Sequence, residues 1–88
     1  GISIGENGKL EIDKFKSINS ETAITVKDGS ELFLKEALIN KVDYCFKVFR
    51  KEILFNYSKI NYNENLTSCN ANKRMISKDE FSTIKRIF

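Results

Sequence analysis

Eighty-eight residues, 41% of them hydrophobic and 31% charged, make one small globular domain with no tract polar enough to read as disordered. A chain this short buries only about 60–65% of the surface its unfolded form exposes, so a covalent staple would matter. The net charge of +3 is too mild to mark a polyanion-binding face by itself, and no apolar run approaches the roughly 20 residues that span a bilayer.

The charge divides along the chain. Residues 1–40 carry five lysines against seven carboxylates, a net of −2, and residues 41–88 carry ten Lys or Arg against five, a net of +5. Blocks this mild ordinarily form solvated faces. No stretch within residues 1–88 reads as a signal peptide. With Gly1-Ile2-Ser3 at the start in place of an initiator Met, residues 1–88 are expected to be a single domain from a longer exported or membrane-anchored protein.

Ile2 to Ile12 read as a hairpin. A three-residue loop, Glu6-Asn7-Gly8, sets Ile4 opposite Leu10 and Ile2 opposite Ile12, with all four on one face. Thr22 to Lys27 alternate and are β-branched, so they read as a strand. Asp28 and Ser30 offer helix N-caps. Leu34, Leu38, Val42, Cys45 and Phe49 then recur at steps of four, four, three and four, the period of an amphipathic helix over residues 30–51. Ile53, Phe55 and Tyr57 alternate, while Ile60 and Tyr62 take the other parity, so a strand with a bulge near Ser58 and Lys59 is expected. Residues 63–73 form a polar loop. Ser77-Lys78-Asp79-Glu80 matches a capping box, and residues 81–88 read as a short helix or, alternatively, as a strand. The expected fold is α+β: a small antiparallel sheet, made of the N-terminal hairpin and two further strands, packed on one long helix.

Cys45 and Cys69 are too few to hold zinc in a chain without histidine, and 24 residues is not redox-motif spacing. An intrachain disulfide or two buried thiols remain. A disulfide would imply an oxidising compartment, periplasmic or extracellular.

Enzymatic readings fail by absence. Without histidine the commonest general base is missing, and Gly1, Gly5, Gly8 and Gly29 form no phosphate-binding motif. The carboxylate pairs Glu11/Asp13 and Asp79/Glu80 fit a strand surface and a helix start. No catalytic residue, metal or cofactor is expected. The basic and aromatic residues of the second half could build a strand-binding platform, but most of the aromatics fall on core periods, so no nucleic-acid partner is expected. Asn56-Tyr57-Ser58 and Asn65-Leu66-Thr67 match the glycosylation acceptor pattern; only Asn65 lies in a predicted loop. Phe33, Ile39, Phe46 and Val48 lie off the main helical stripe and are the candidate partner-binding residues.

A helix with a central cysteine (Val42-Asp43-Tyr44-Cys45-Phe46-Lys47-Val48-Phe49), then a β segment from Ile53 to Tyr62, then Cys69, resembles the periplasmic domains of ToxR-type membrane-anchored transcription activators of enteric pathogens. The resemblance covers about a third of the chain. It implies that Cys45 and Cys69 form the family's intrachain disulfide. It also implies a sensory domain beyond a DNA-binding domain and a membrane span, stabilised by a small partner protein and in some members responsive to bile salts or pH. The expected function is therefore non-catalytic contact with a second protein, through an apolar helix face or a sheet edge, in a bacterial membrane-anchored regulator with a place for a small apolar ligand. Membrane attachment would come only through a segment outside these residues. A secreted interaction module, such as an inhibitor, immunity-type protein or pilus or adhesin subunit, is the alternative.

Overall fold

The computed structural model describes residues 1–86. They form seven strands: β1 (Ile2–Ile4), β2 (Lys9–Ile18), β3 (Thr22–Lys27), β4 (Glu31–Phe49), β5 (Lys59–Tyr62), β6 (Thr67–Lys78) and β7 (Thr83–Arg86), with a 3₁₀ turn at Glu64–Leu66. Each of their pairings is parallel. Residue 2 faces 24, residue 9 faces 31 and residue 22 faces 44, a constant offset of 22. A chain that repeatedly bonds in parallel to the segment one offset later is winding as a coil. The described residues are thus a parallel β-solenoid of four turns.

Each turn has up to three straight segments, and these stack into three faces. The first face stacks β1, β3, residues 44–49 of β4 and residues 74–78 of β6. The second stacks residues 9–12 of β2, residues 31–34 of β4, β5 and β7. The third stacks residues 14–18 of β2, residues 36–40 of β4 and residues 67–70 of β6. Through these parallel pairings like residues meet in columns: Ile2, Ile24, Phe46, Ile76 on the first face and Leu10, Leu32, Ile60, Ile84 on the second. The middle turns bury these columns completely, with Ile24, Phe46, Leu32 and Ile60 all at 0% exposure. Each such side chain contributes about 1.5–3 kcal/mol by leaving water. Tyr62 stacks on Phe46 with ring centroids 5.4 Å apart.

The corners repeat as well. Glu6 (φ 57°) and Asn7 (φ 59°) are left-handed, and so, 22 residues later, are Asp28 (φ 54°) and Gly29 (φ 80°). Asn19 (φ 61°) is followed likewise by Lys41 (φ 55°). A left-handed residue allows a tight bend between faces, and Asn, Asp and Gly adopt that conformation at least cost. A serine ladder closes the first corner of each turn. Glu31 N–H donates to the Gly8 carbonyl at 2.9 Å, Lys59 N–H to that of Ser30 at 3.0 Å and Thr83 N–H to that of Ser58 at 3.0 Å. The buried hydroxyls join in: Ser30 Oγ accepts from Gly8 N–H at 3.0 Å, and Ser82 Oγ from Ser58 N–H at 3.2 Å. Buried backbone amides are thereby satisfied where no strand partner exists.

The predicted α+β fold is overturned. The long helix is β4, whose backbone groups bond on one edge to β2 and β3 and on the other to β5 and β6. Its inward residues are Leu32, Leu34, Ala37, Ile39, Val42, Cys45, Phe46 and Val48. Within each face they alternate, and at each bend a residue is added, so the mean step imitates a helical stripe. Leu38, at the centre of that stripe, points outward and is 47% exposed. The N-terminal hairpin is absent too: β1 and β2 lie on different faces and pair with β3 and β4, not with each other. The expected strand through Ile53 and Tyr57 is a loop, the polar loop after Asn63 is largely β6, and residues 83–86 are strand. Residues 87 and 88, the end of the last predicted element, lie outside the described residues.

Cys45 and Cys69 form a disulfide, with Cα atoms 6.3 Å apart. Cys45 is wholly buried where the third turn begins. Cys69 lies on the third face beside Ile39, where that turn ends. The bond therefore ties the first face of the third turn to its third face. In the chain-entropy model a loop of 24 residues contributes about 3–4 kcal/mol. Replacing both cysteines with alanine is expected to lower the unfolding free energy in urea by about that amount. Alkylation of both thiols in unreduced, denatured protein would contradict the bond.

Candidate contact surface

The interior columns leave three kinds of surface: the outward rows of the faces, the corners and the ends. The corner between the first and second faces is the most elaborate. Glu31 pairs with Lys59, an offset of 28 instead of 22, because a loop over residues 50–58 is inserted in the third turn. Its base is tightly held. The buried Asp28 carboxylate accepts from Lys51 N–H at 2.7 Å and Glu52 N–H at 2.9 Å, and Ser58 Oγ donates to the Phe49 carbonyl at 2.8 Å. Arg50 stacks over the Tyr57 ring, 4.0 Å from its centroid, and donates to the Tyr57 hydroxyl at 2.9 Å.

At the tip, Phe55 N–H donates to the Glu52 carbonyl at 3.1 Å, which makes Ile53 and Leu54 the central residues of a tight turn. Both face water, at 82% and 90% exposure. In the next turn the same corner carries Phe81, 60% exposed and edge-on to Tyr57 at 5.2 Å. Exposed apolar side chains on a corner held in this way would give up little conformational freedom on binding.

Asp79 buttresses this corner from below. Its Oδ2 accepts from Arg50 N–H at 2.8 Å and its Oδ1 from Ser82 N–H at 3.1 Å. Partial burial pushes its pKa up, but hydrogen bonds from the Ser82 hydroxyl and from the Arg50 and Ser82 amides, together with the Arg50 charge, outweigh that and hold it below the ordinary 3.8.

A shallow groove of about 340 Å³ runs beside the corner between the second and third faces, lined by Glu11, Ile12, Asp13, Phe33, Leu34, Lys35 and Asn63. Phe33 is half-buried there. Of the predicted partner-binding residues it is the one that reaches the surface. Ile39, Phe46 and Val48 are all 0% exposed. They point into the coil, where their columns need them, and are not available to a partner. Ile53, Leu54 and Phe81 are exposed instead; alternation hides Ile53 in an expected strand, and the capping pattern hides Phe81 in an expected helix or strand. Glu11 and Asp13 are both exposed, and among the described residues no three Cys, Asp or Glu side chains gather as a metal site would require. Asn56 is exposed on the inserted loop and not in a strand, and Asn65 is exposed in the 3₁₀ turn.

Compared with protein-family models, curated proteins and solved structures, the chain matches none. The helix expected in the ToxR-type resemblance is a strand here.

A depressed Asp79 pKa means that the fold favours the ionised form. Its contribution is complete above pH 3.8 and is lost as the pH falls through the lower, folded value. Asp79→Ala is expected to cost about 1 kcal/mol at pH 7, as for loss of a carboxylate that accepts backbone N–H bonds. The gap from wild type should close as the pH is lowered towards 2. Urea titrations across that range measure it; a gap independent of pH would contradict the assignment.

Proposed function

We propose that this chain is a non-catalytic contact module of an exported protein that holds a second protein at the corner formed by Ile53, Leu54 and Phe81. The observation that carries the reading is the 82% and 90% exposure of Ile53 and Leu54 on a loop whose base is fixed by Asp28, Ser58 and Arg50. A stacked coil can leave its corners free of core duty, so a corner insertion can be apolar without disturbing the interior. Burial of these side chains against a partner would return about 1.5–3 kcal/mol each. The disulfide is consistent with an oxidising compartment, and the periplasm or the extracellular space fits that chemistry. The sensory domain of a membrane-anchored regulator is one setting for such a module and a secreted interaction protein is the other. In both, the corner is the working surface.

A photo-crosslinking amino acid placed at Leu54, in cells of the native host, tests this, with Ser68 on the outward row of the third face as the control position. A discrete adduct with another polypeptide from position 54, absent from position 68, is the expected result. Equal adducts from both positions, or none from position 54, would refute the contact surface. Leu54→Ser should change folding stability by less than about 0.5 kcal/mol, since the side chain is exposed.

A further inference from the structure

The first turn ends the coil on one side with an open edge. Among the described residues, β1 bonds only to β3 and β2 only to β4, so the outer backbone groups of both strands lack a strand partner. The interior is correspondingly less covered there: Ile12 and Phe15 are half-buried and Leu10 is 37% exposed. Such an edge invites pairing, and the residue order along β2 specifies with what.

We propose that β2 pairs antiparallel with β2 of a second copy, stacking two coils end to end about a two-fold axis. The strand reads Lys9-Leu10-Glu11-Ile12-Asp13-Lys14-Phe15-Lys16-Ser17-Ile18. When Asp13 is set opposite Lys14 of the second copy, Glu11 falls opposite Lys16, Ile12 opposite Phe15, Leu10 opposite Ser17 and Lys9 opposite Ile18. Both acids of the first half meet both bases of the second half, and the two-fold repeats each pair. The inward residues Leu10 and Ile12 meet the inward residues Ser17 and Phe15, so the interior is closed by the same register that pairs the charges. Directly opposed residues of antiparallel strands share a face and interact.

The shape of the coil agrees. The axis passes between Asp13 and Lys14, at the bend between the second and third faces, so the second face of one copy lies over the third face of the other. Half of a 22-residue turn earlier, the same axis leaves through the first face near β1, so the first faces of the two copies lie over one another. An isologous contact of this kind closes as a dimer. Among the described residues the opposite end offers no equivalent. Its strands β6 and β7 carry Lys73, Arg74, Lys78, Lys85 and Arg86, a run of like charge that guards an edge against pairing.

Charge reversal tests the pairing, with sedimentation equilibrium as the readout. All four residues are exposed, so the variants should stay folded, which thermal unfolding checks. The wild type should be a dimer that weakens as salt is added. Lys14→Glu with Lys16→Glu makes one acidic strand, and Glu11→Lys with Asp13→Lys makes one basic strand. Each should dimerise on the order of 100-fold more weakly than wild type. An equimolar mixture of the two should recover a dimer containing one copy of each. A wild-type chain that is monomeric at millimolar concentration, variants that dimerise as well as wild type, a mixture that fails to associate, or open-ended polymers would each overturn the proposal. The Leu54 corner takes no part, so Leu54→Ser should leave the dimer unchanged.

Discussion

The constant 22-residue offset of the first turns is the constraint on which the structure depends. Ile2, Ile24 and Phe46 share a column only because each turn bonds in parallel to the next without a shift. Over the first two turns that bonding requires the left-handed corners to fall at the same place. Glu6 and Asn7, then Asp28 and Gly29, meet the requirement at the first corner, as Asn19 and Lys41 do at another. In a 10.2 kDa chain no single turn could bury its own apolar face. Stacking buries the inward columns of the two middle turns and leaves those of the first and last partly covered, as repeat architectures do.

Once the columns carry stability, departures from the 22-residue rule acquire meaning. The insertion over residues 50–58 is such a departure, and it lies where Asp28 supplies a buried carboxylate for its exposed amides. The following turn repeats the arrangement with Asp79 in the supporting role. Two carboxylates thus hold neighbouring levels of one corner, and between them the chain displays Ile53, Leu54 and Phe81. The cost of exposing those side chains is borne at a position the core does not need. A solenoid also converts sequence order into spatial order along its axis. The change from −2 over residues 1–40 to +5 over residues 41–88 therefore becomes a difference between its two ends.

Much of this was within reach of the residues themselves. The strand at Thr22–Lys27 was legible from β-branched alternation, and the inward direction of Cys45 follows from either reading of its neighbours. The helix over residues 30–51 was a misreading with a physical cause: alternation within short segments, plus one residue at each bend, averages to a longer period. Leu34, Val42 and Cys45 satisfy both patterns, whereas Leu38 satisfies only the helix and is outside. The Asn7-Gly8 signal marked a real turn, but a turn joins two faces here and not two strands of one sheet. The overlooked signal was self-similarity: Ile2-x-Ile4, then Gly8-x-Leu10-x-Ile12, recurs 22 residues later as Ile24-x-Val26, then Ser30-x-Leu32-x-Leu34. The corner cluster was hidden for a different reason. Ile53, Leu54 and Phe81 are apolar, and only the observed path of the chain shows that they point to water.

Inter-turn contacts measured by nuclear magnetic resonance in solution test the coil most directly. Parallel stacking predicts backbone proton contacts between the strand around Ile24 and that around Phe46, between Phe46 and Ile76, and between Leu32 and Ile60, together with slow amide exchange along residues 31–49. Sequential amide contacts with a three-residue periodicity over residues 31–49, and none between these turns, would contradict it.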